Sequence, residues 1–512
     1  MSKHTAVNAG RRGFLKASAA VSVVAGAGLT LGFRIETANA QAPAGAAAPA
    51  SPNTFVRIGR DNSVTVICKH LEMGQGTYTG LATLVAEELD AAWEQVKVEG
   101  APADATRYNN LAFGPMQGTG GSTAMANSWD QLRQAGATAR AMLVAAAAKQ
   151  WNVPAASIAV AKGIVTSGKQ KATFGQLADA AATMPVPATV KLKDPKDFVL
   201  IGKAAPRKDS RAKSNGTAKF TSDVMLDDMV VAVVAHPPRF GAKVKKVDAA
   251  ALNGLPGIRY VVRISSGVAV VASTFWNAKK GRDALKLEWD ESGALGISSA
   301  TLLAEYKALA TAPGAIARSD GDSAKALAGA AKTLEAGYEF PFLAHAAMEP
   351  LNCVVKLSKD GCEVWNGEQF QTSDQAALAR VLDLKPEQVK INMLYAGGSF
   401  GRRANPAADY LVEAAEIAKQ LALQGKYDVP VKLVWTREDD MRGGYYRPAY
   451  YHALRPGSTP PATSSPGSTG SSASRSSPAR RSSRCWSRMA STRRRSRGRR
   501  RCRTRSRTSP SS

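Results

Sequence analysis

The stretch that decides the fold is residues 394–403, LYAGGSFGRR. It follows an alternating segment at residues 386–394 that predicts a β-strand. Three glycines surround a single aromatic side chain, and glycine lets the backbone take positive φ angles and approach a ligand closely. The N–H groups of such a loop, with two guanidiniums directly behind it, suit a ligand that carries phosphate or oxo groups. A tight turn with two solvated arginines explains this stretch alone equally well.

The charge of the chain is unevenly distributed. The formal net charge is +27 over 512 residues. Residues 456–512 contain fifteen Arg and neither Lys nor acidic residues, so they supply +15 of it. Residues 1–40 supply another +4, which leaves about +8 on the body. That is an ordinary surface charge and does not indicate a nucleic-acid groove. The length of the chain predicts two or more domains.

The five cysteines encode no cluster motif. None lies in a CxxC pair, so neither a zinc site nor a cysteine-ligated iron–sulfur cluster is indicated. Cys353 and Cys362 flank a predicted hairpin. A disulfide between them and two buried free thiols both remain open.

The N-terminus has the pattern of a targeting signal. Arg11 and Arg12 precede Gly-Phe-Leu-Lys, an apolar run at residues 17–33 and Ala-Asn-Ala at residues 38–40. This pattern predicts a removable leader at residues 1–40, followed by an Ala/Pro linker at residues 41–52. The paired arginines resemble a twin-arginine signal, which predicts export of the folded protein to the periplasm. An uncleaved membrane anchor is the alternative.

A second glycine loop lies near the start of the body. Gly74 and Gly76 flank Gln75 between a predicted strand at residues 64–69 and a predicted helix at residues 81–92. The loop places a side-chain amide and free N–H groups at one point. That arrangement suits a polar ligand held by hydrogen bonds.

A third glycine loop, residues 117–123 with the sequence QGTGGST, precedes a long helix predicted for residues 129–151. Asn127 or Ser128 is the predicted N-cap of that helix. Each loop alone is a weak signal, because loops before helices often contain glycine. None of the three has the GxGxxG or GxxxxGK[ST] spacing, so neither a dinucleotide site nor a phosphate-binding P-loop is indicated.

The middle of the chain is rich in β-branched runs. They predict a compact β-rich module at residues 212–298, structural rather than catalytic, with one short helix near residues 248–252. Helices are predicted for residues 300–309 and 323–330 that follow.

Two further patterns carry candidate ligands. His345 and Glu349 stand four residues apart, a spacing that places both on one face of a helix as potential metal ligands. Prolines bracket this short segment and no third ligand lies near, so a hydrogen-bonded structural pair is the favoured interpretation. Gln369 and Gln371 follow a predicted strand and are candidates to project an amide into a pocket.

Taken in order, these motifs resemble one family. EMGQG, QGTGGST, the β-rich module, HAAMEP, the glutamine-containing strand end, GGSFGRR and TREDDM together resemble the molybdopterin-binding subunit of the xanthine oxidase family. Within it they are most similar to isoquinoline 1-oxidoreductase beta subunits, also called molybdopterin-binding aldehyde dehydrogenases. The resemblance covers residues 54–454. It implies an α+β fold with molybdenum-cofactor-binding segments at residues 53–200 and 299–454 and an inserted a/b hammerhead-like module at residues 212–298.

The resemblance also implies which residues bind the cofactor. The positions that match the family's motifs are Gly74, Gln75, Gly76, Gly121, Ser122, Thr123, Gln369, Gly398, Ser399, Phe400, Gly401 and Arg402. The first three match the loop at the pterin, Gln369 matches the glutamine beside the apical molybdenum ligand, and Gly398 to Gly401 match the loop beneath the metal. Arg402 departs from the Gly-Lys or Gly-Arg of many relatives, so a phosphate contact there has the least support.

The implied function is that of a molybdenum hydroxylase. The family binds molybdopterin cytosine dinucleotide and oxidises an aldehyde or an N-heteroaromatic carbon with water as the oxygen source. The pterin dithiolene holds the molybdenum, so no metal ligand is expected from the protein. Two [2Fe–2S] clusters are expected on a separate small subunit, with a cytochrome c as a further acceptor. No nucleic acid and at most a peripheral membrane contact are expected.

The resemblance stops after Leu454. Residues 455–512 are rich in Arg and Ser and cannot bury a core. A frameshift in a GC-rich gene is the preferred interpretation, with a disordered natural tail and a basic nucleic-acid arm as alternatives. The general-base glutamate of the family lies in its C-terminal part, and residues 456–512 contain no carboxylate side chain. We therefore predict no catalytic residue in this chain and expect the chain as printed to be inactive.

Two other classes compete with this interpretation. A nucleotide-dependent dehydrogenase is disfavoured by the spacing of the glycines, and bound-metal analysis separates it from a molybdenum enzyme. A non-catalytic exported protein or basic binding factor predicts heparin retention that depends on residues 456–512.

Overall fold

The computed structural model describes residues 55–458 and one earlier strand, Gly28–Leu31. The predicted leader, linker and tail therefore lie outside the described residues, apart from that strand and residues 455–458. The described chain forms two compact units. The first contains residues 55–117 and 122–218, and the second contains Gly118–Gly121 and residues 219–458.

The described part of the first unit, including the strand Gly28–Leu31, contains seven strands and five helices. The strands are β1 (Gly28–Leu31), β2 (Val56–Gly59), β3 (Val64–Cys68), β4 (Val96–Gly100), β5 (Ala159–Ala161), β6 (Ile164–Ser167) and β7 (Gln170–Thr173). The helices are α1 (Thr77–Leu89), α2 (Ala105–Tyr108), α3 (Ala124–Trp151), α4 (Phe174–Ala182) and α5 (Ser210–Ser214). Strands β1 to β4 form one sheet in that order, with only β3 and β4 parallel. Strands β5 to β7 form an antiparallel sheet.

The packing of α1 against α3 forms the centre of this unit. A Cβ atom added at Gly136 of α3 would lie 2.5 Å from the carbonyl oxygen of Val85 in α1. The absence of a side chain at Gly136 therefore allows the two helices to approach closely. Helix α3 starts at Ala124, so the predicted start at residue 129 is wrong. The predicted cap Asn127 lies inside the first turn, where its side-chain amide donates to the carbonyl of Thr123 at 2.5 Å.

The second unit contains thirteen strands and six helices within the described residues. The strands are β8 (Val230–Ala235), β9 (Lys243–Asp248), β10 (Ile258–Ile264), β11 (Gly267–Ala272), β12 (Lys286–Asp290), β13 (Lys332–Thr333), β14 (Ala336–Phe340), β15 (Asn352–Leu357), β16 (Cys362–Asn366), β17 (Val389–Met393), β18 (Pro430–Val434), β19 (Tyr450–Leu454) and β20 (Gly457–Ser458). The helices are α6 (Phe275–Ala284), α7 (Ser299–Ala310), α8 (Ser323–Ala328), α9 (Gln371–Leu382), α10 (Asp409–Ala422) and α11 (Arg437–Arg442).

A seven-stranded sheet organises this unit, in the order β10-β11-β8-β18-β15-β16-β17. Strands β8 and β18 are parallel, as are β16 and β17, and the other neighbours are antiparallel. Both β8 and β18 are largely buried apolar runs, which is typical of central strands. The β-rich segment at residues 212–298 thus shares its sheet with strands from residues 352–434 instead of standing apart. It also contains helix α6, capped by Thr274, which the sequence did not predict. The hammerhead-like boundary stays a prediction.

The hairpin β15–β16 settles the state of two cysteines. Cys362 pairs across the hairpin with Leu357, four residues along β15 from Cys353. The two sulfurs are therefore too far apart along the strands for a disulfide. Both thiols are free and buried, so the free-thiol alternative is confirmed.

Within residues 55–458, no helix combines the length and the apolar character needed to cross a membrane.

Candidate functional site

The site in the second unit lies at one edge of the seven-stranded sheet. Strands β16 and β17 are parallel and in register from Cys362↔Val389 to Asn366↔Met393. Their carboxyl ends therefore meet at the same edge. Gln369 follows the first of these strands and the glycine loop at residues 397–401 follows the second, so the fold brings together two motifs that the sequence predicted separately.

The Gln369 side chain is held from both ends of its amide. Its Nε2 donates to the carbonyl of Thr119 at 2.6 Å, and its Oε1 accepts from the Ser399 hydroxyl at 2.6 Å. The backbone N–H of Thr119 donates in turn to the Gln369 carbonyl at 2.8 Å. Gln369 is 3% exposed, so the amide is locked in place. The Nε2 group has a second hydrogen that remains for a ligand.

The glycine loop presents a row of backbone donors. Gly398 and Gly401 have φ angles of 96° and 101°, and Phe400 has the left-handed value of 54°. Among the residues that the structure describes, no acceptor binds the backbone N–H groups of residues 398–401. Consecutive N–H groups in such conformations form a concave site for an anion or an oxo group. The side chain of Phe400 is 76% exposed.

The two arginines behind this loop are structural. Arg402 pairs with Asp409 at 2.6 Å and Arg403 pairs with Glu349 at 3.2 Å. Their side chains are 3% and 1% exposed. The interpretation as solvated arginines is therefore wrong, and both guanidiniums are already bound to carboxylates. A contact between Arg402 and the cofactor stays a prediction.

Glu349 anchors the beginning of the loop. Its Oε2 accepts from the backbone N–H of Gly397 at 2.7 Å, and a Cβ atom at Gly397 would lie 2.5 Å from the Cβ of Glu349. A side chain at position 397 would collide with Glu349, which explains why glycine occupies this position. The favoured pairing of Glu349 with His345 is wrong, because the segment is not helical and the glutamate faces Gly397 and Arg403. Burial and the charge of Arg402 lower the pKa of His345.

In the first unit, a glutamate again organises the glycine loop. The buried Glu72 accepts from the N–H groups of Gly74 at 2.8 Å and Gly76 at 3.2 Å through Oε1, and from Tyr78 at 3.1 Å through Oε2. Gln75 accepts from the N–H of Met73 at 2.8 Å and donates to the carbonyl of Leu71 at 2.7 Å. The expectation of free N–H groups at Gly74 and Gly76 is therefore wrong. The side chain of Gln75 remains exposed, and its role at the cofactor stays a prediction.

The residues whose positive charges balance the carboxylate of Glu72 were not predicted from the sequence. Arg207 and Lys213 lie 3.3 Å and 3.5 Å from its carboxylate, and both also bind Asp209. The hydrogen bond from Arg207 lowers the pKa of Asp209 to about 2. The only signal in the sequence is the density of basic residues at positions 203–213.

The tip of the third loop is exposed. Gly121 and Ser122 are exposed and both adopt left-handed conformations, with φ angles of 59° and 55°. The hydroxyl of Thr123 accepts from the side-chain amide of Asn110 at 2.8 Å. The contribution of these three predicted residues to cofactor binding stays a prediction.

A buried lysine was also missed. Lys69 is completely buried, and its Nζ donates to Gln131 Oε1 at 2.6 Å and to the carbonyl of Asn109 at 3.2 Å. Burial lowers the pKa of Lys69 to about 7. Among the residues that the structure describes, none of its hydrogen-bond partners is an acidic side chain.

The donor set suits an oxo-rich or phosphate-bearing group better than a metal ion held by the protein. Among residues 55–458, no group of three or more His, Cys, Asp or Glu side chains is placed to hold a metal. The free N–H groups at residues 398–401 and the Gln369 amide are hydrogen-bond donors. They fit the oxygen atoms of a cofactor that brings its own metal.

Comparisons with known proteins give the family. Two sequence models of the molybdopterin cofactor-binding domain match residues 6–248 and 309–460. Isoquinoline 1-oxidoreductase subunit beta of Brevundimonas diminuta is 33% identical over 493 residues, covering 86% of this chain and 61% of that protein. This chain belongs to the molybdopterin-binding subunits of the xanthine oxidase family. It is thus a member of a family of molybdenum oxidoreductases with mixed α and β structure.

Two further proteins are similar to this chain, one in sequence and one in structure. The membrane-bound aldehyde dehydrogenase [pyrroloquinoline-quinone] of Gluconacetobacter polyoxogenes is 32% identical, over 85% of this chain and 57% of that protein. Quinoline 2-oxidoreductase from Pseudomonas putida 86 superposes with a TM-score of 0.41 at 16% identity, over 50% of this chain and 37% of that chain. That superposition is too weak to support a conclusion. The chain spans about three fifths of the length of the curated relatives, 61% and 57%.

Proposed function

We propose that this chain belongs to the large subunit of an exported molybdenum hydroxylase. The substrate class is an aldehyde or an N-heteroaromatic compound, water is the oxygen source, and electrons pass to a separate iron–sulfur subunit. The names of the relatives support both substrate classes, since one is an isoquinoline oxidoreductase and another an aldehyde dehydrogenase. The cofactor proposed is molybdopterin cytosine dinucleotide. A cytochrome c is the proposed final acceptor.

The observation that carries the proposal is the row of unpaired N–H groups at residues 398–401 beside the Gln369 amide. When bound, the molybdenum cofactor supplies the redox chemistry. The loop donates hydrogen bonds to oxygen atoms of that group, and the second Nε2 hydrogen of Gln369 fixes its orientation. The exposed ring of Phe400 offers an apolar contact for an aromatic or aldehyde substrate.

The described carboxylates near this loop are not suited to act as a general base. Glu349 and Asp409 are paired with the two arginines, and Glu368 is completely buried. A base must reach the proton that it removes. We therefore keep the expectation that the printed chain turns over no substrate.

The cofactor proposal is tested by the metal content of the printed chain, produced in a host that makes molybdopterin cytosine dinucleotide. We expect molybdenum in the purified chain and release of cytidine monophosphate on acid hydrolysis. Ser399→Ala, which frees Oε1 of Gln369, should lower the molybdenum content several-fold. Ser214→Ala, an exposed serine of α5, is the matched control and should retain it. A chain without molybdenum that stains for a quinone would overturn the proposal in favour of the cofactor named in the second relative.

The activity and the export are tested separately. With isoquinoline or an aldehyde and an artificial electron acceptor, the molybdenum-loaded printed chain should show no turnover. Turnover by this chain would contradict the expectation about the base. Replacement of Arg11 and Arg12 by Lys should retain the protein in the cytoplasm, whereas the unchanged protein should reach the periplasm. Equal distribution of the two proteins would count against the twin-arginine route.

A further inference from the structure

Two buried carboxyls flank the start of helix α9 and form no ion pair with a described residue. Glu368 lies before the helix and Asp374 lies in its first turn, with exposures of 0% and 1%. None of their four carboxylate oxygens has a hydrogen-bond partner among the described residues. Burial raises the pKa of each well above its usual range, and Asp374 adds to the rise at Glu368. The Asn366 amide and the charge of Arg403 oppose the rise at Glu368, and the Phe370 backbone opposes it at Asp374.

The nearby cations are already committed. The guanidinium of Arg403 is bound to Glu349 and to Asn366 Oδ1, and that of Arg402 is bound to Asp409. Each arginine therefore balances a different carboxylate. Glu368 and Asp374 together leave up to two negative charges in a region from which water is excluded. A buried charge without a partner costs several kcal/mol, about as much as the whole stability of a small domain.

A third buried side chain, in the first turn of the same helix, also lacks partners. Gln371 is completely buried, and both Oε1 and Nε2 of its amide have no hydrogen-bond partner among the described residues. Gln371 and Asp374 are three residues apart in α9, so their side chains lie on the same face of the helix. Gln371 is neutral, so repulsion between acids does not explain its unpaired amide. The buried oxygens of three nearby residues of the chain are thus left without partners, which calls for an explanation.

We propose that Glu368, Gln371 and Asp374 bind a divalent cation of the calcium type inside the second unit. The four carboxylate oxygens and the amide oxygen of Gln371 are ligands of the kind that a hard cation prefers, and they supply five of the six to eight oxygen ligands that Ca²⁺ takes in irregular geometry. The ion removes the uncompensated charge and satisfies the unpaired oxygens together. Because Glu368 directly precedes Gln369, the same ion fixes the strand end that positions the Gln369 amide.

The alternative is that the two carboxyls simply carry protons. A proton shared between them requires a short hydrogen bond that joins the two groups. The effect of Asp374 on Glu368 is electrostatic repulsion, with no hydrogen bond between the two side chains. Two separate protons leave the amide of Gln371 unexplained. The geometry therefore favours the cation.

The test measures bound metal and thermal stability in the full chain, purified without chelators. We expect about one calcium per chain by elemental analysis, in line with one site. Dialysis against EGTA should lower Tm, and added CaCl₂ should restore it. The double variant Glu368→Gln with Asp374→Asn keeps the shapes and removes the charges, so it should lose the calcium and unfold at the same temperature with or without EGTA. Asp360→Asn, an exposed aspartate, is the matched control and should respond like the unchanged chain.

A second measurement, made on the unchanged chain, tests the proposal even if the double variant does not fold. Tb³⁺ bound in the unchanged chain should show luminescence sensitised by Tyr410, because the charges of both carboxyls influence this tyrosine. Calcium should displace the Tb³⁺ and remove the signal. If the purified chain contains no calcium and its Tm is unaffected by EGTA and by CaCl₂, the carboxyls are protonated and the proposal is overturned. Calcium retention is measured independently of molybdenum, so the outcome does not depend on the proposed enzymatic function.

Discussion

Glu349 and Arg403 form a buried ion pair in which Nη2 of the arginine lies 3.2 Å from Oε2 of the glutamate, with 1% of the arginine side chain and 9% of the glutamate side chain exposed. The same oxygen accepts the N–H of Gly397. The pair therefore ties the start of the glycine loop to its end. The loop conformation that exposes the N–H groups of residues 398–401 depends on this connection.

The first prediction concerns this ion pair. Glu349→Ala leaves the guanidinium of Arg403 buried without its carboxylate, so we expect a loss of about 3–5 kcal/mol in the free energy of unfolding. Urea denaturation measures it. Glu339→Ala is the matched control, because Glu339 pairs with Lys307 where both side chains are 45% to 49% exposed. That variant should lose about 0–1 kcal/mol. Equal losses in the two variants would show that the buried pair has no special role.

The second prediction concerns Lys69 and pH. Burial lowers the pKa of Lys69 from 10.5 to about 7, so between these values the unfolded chain binds more protons than the folded chain. Stability therefore rises with pH in this window. The contribution of Lys69 should increase by about 1.5 kcal/mol from pH 7 to pH 8.5.

The variant Lys69→Met isolates this contribution, since it has no charge to bury. The unfolding free energy of the unchanged chain minus that of Lys69→Met should rise by about 1.5 kcal/mol as pH rises from 7 to 8.5. Lys97→Met is the control, because the side chain of Lys97 is 63% exposed. Its difference from the unchanged chain should stay constant over the same range. A constant difference for Lys69→Met would mean that the lysine remains charged in the folded state.

Local structure was predictable where the pattern of apolar residues was strong. Helix Ser299–Ala310 is one residue longer at each end than the helix predicted for residues 300–309, and strand Val64–Cys68 ends one residue before the strand predicted for residues 64–69. Periodicity of this kind depends only on neighbouring residues. The glycine loops were also found, because glycine density marks positions where the backbone conformation is unusual.

The partners within the sites were not predictable in the same way. Glu349 is 54 residues from Arg403, and Glu72 is 135 residues from Arg207. No local pattern connects positions so far apart, so the N–H groups at Gly74 and Gly76 were expected to be free although Glu72 binds them. The sheet that joins β8 to β18 escaped prediction for the same reason.

The third prediction concerns the thiols of the hairpin. Burial raises the pKa of Cys362 to about 12, and it raises that of Cys353 as well. Only the thiolate reacts with iodoacetamide, so both cysteines should resist labelling in the folded chain at pH 8 and react after unfolding in urea. Peptide mapping without reduction should show no disulfide between Cys353 and Cys362. Rapid labelling of either cysteine in the folded chain would show that the hairpin opens under native conditions.

The fourth prediction concerns Phe400, which combines strain with exposure. Its φ angle of 54° is unfavourable for a side chain, and 76% of its surface is in contact with solvent. Phe400→Gly relieves the strain and loses little burial, so the apo chain should be unchanged or stabilised by about 1 kcal/mol or less. Phe240→Gly is the control. The side chain of Phe240 is 51% exposed, its φ angle is ordinary, and its ring packs against Tyr446. That variant should be destabilised in the same urea titration.

If the proposed cofactor loop is correct, Phe400→Gly should also bind the cofactor less tightly, measured as retained molybdenum. A chain that loses stability and retains full molybdenum content would show that the conformation of Phe400 serves the fold and not the site.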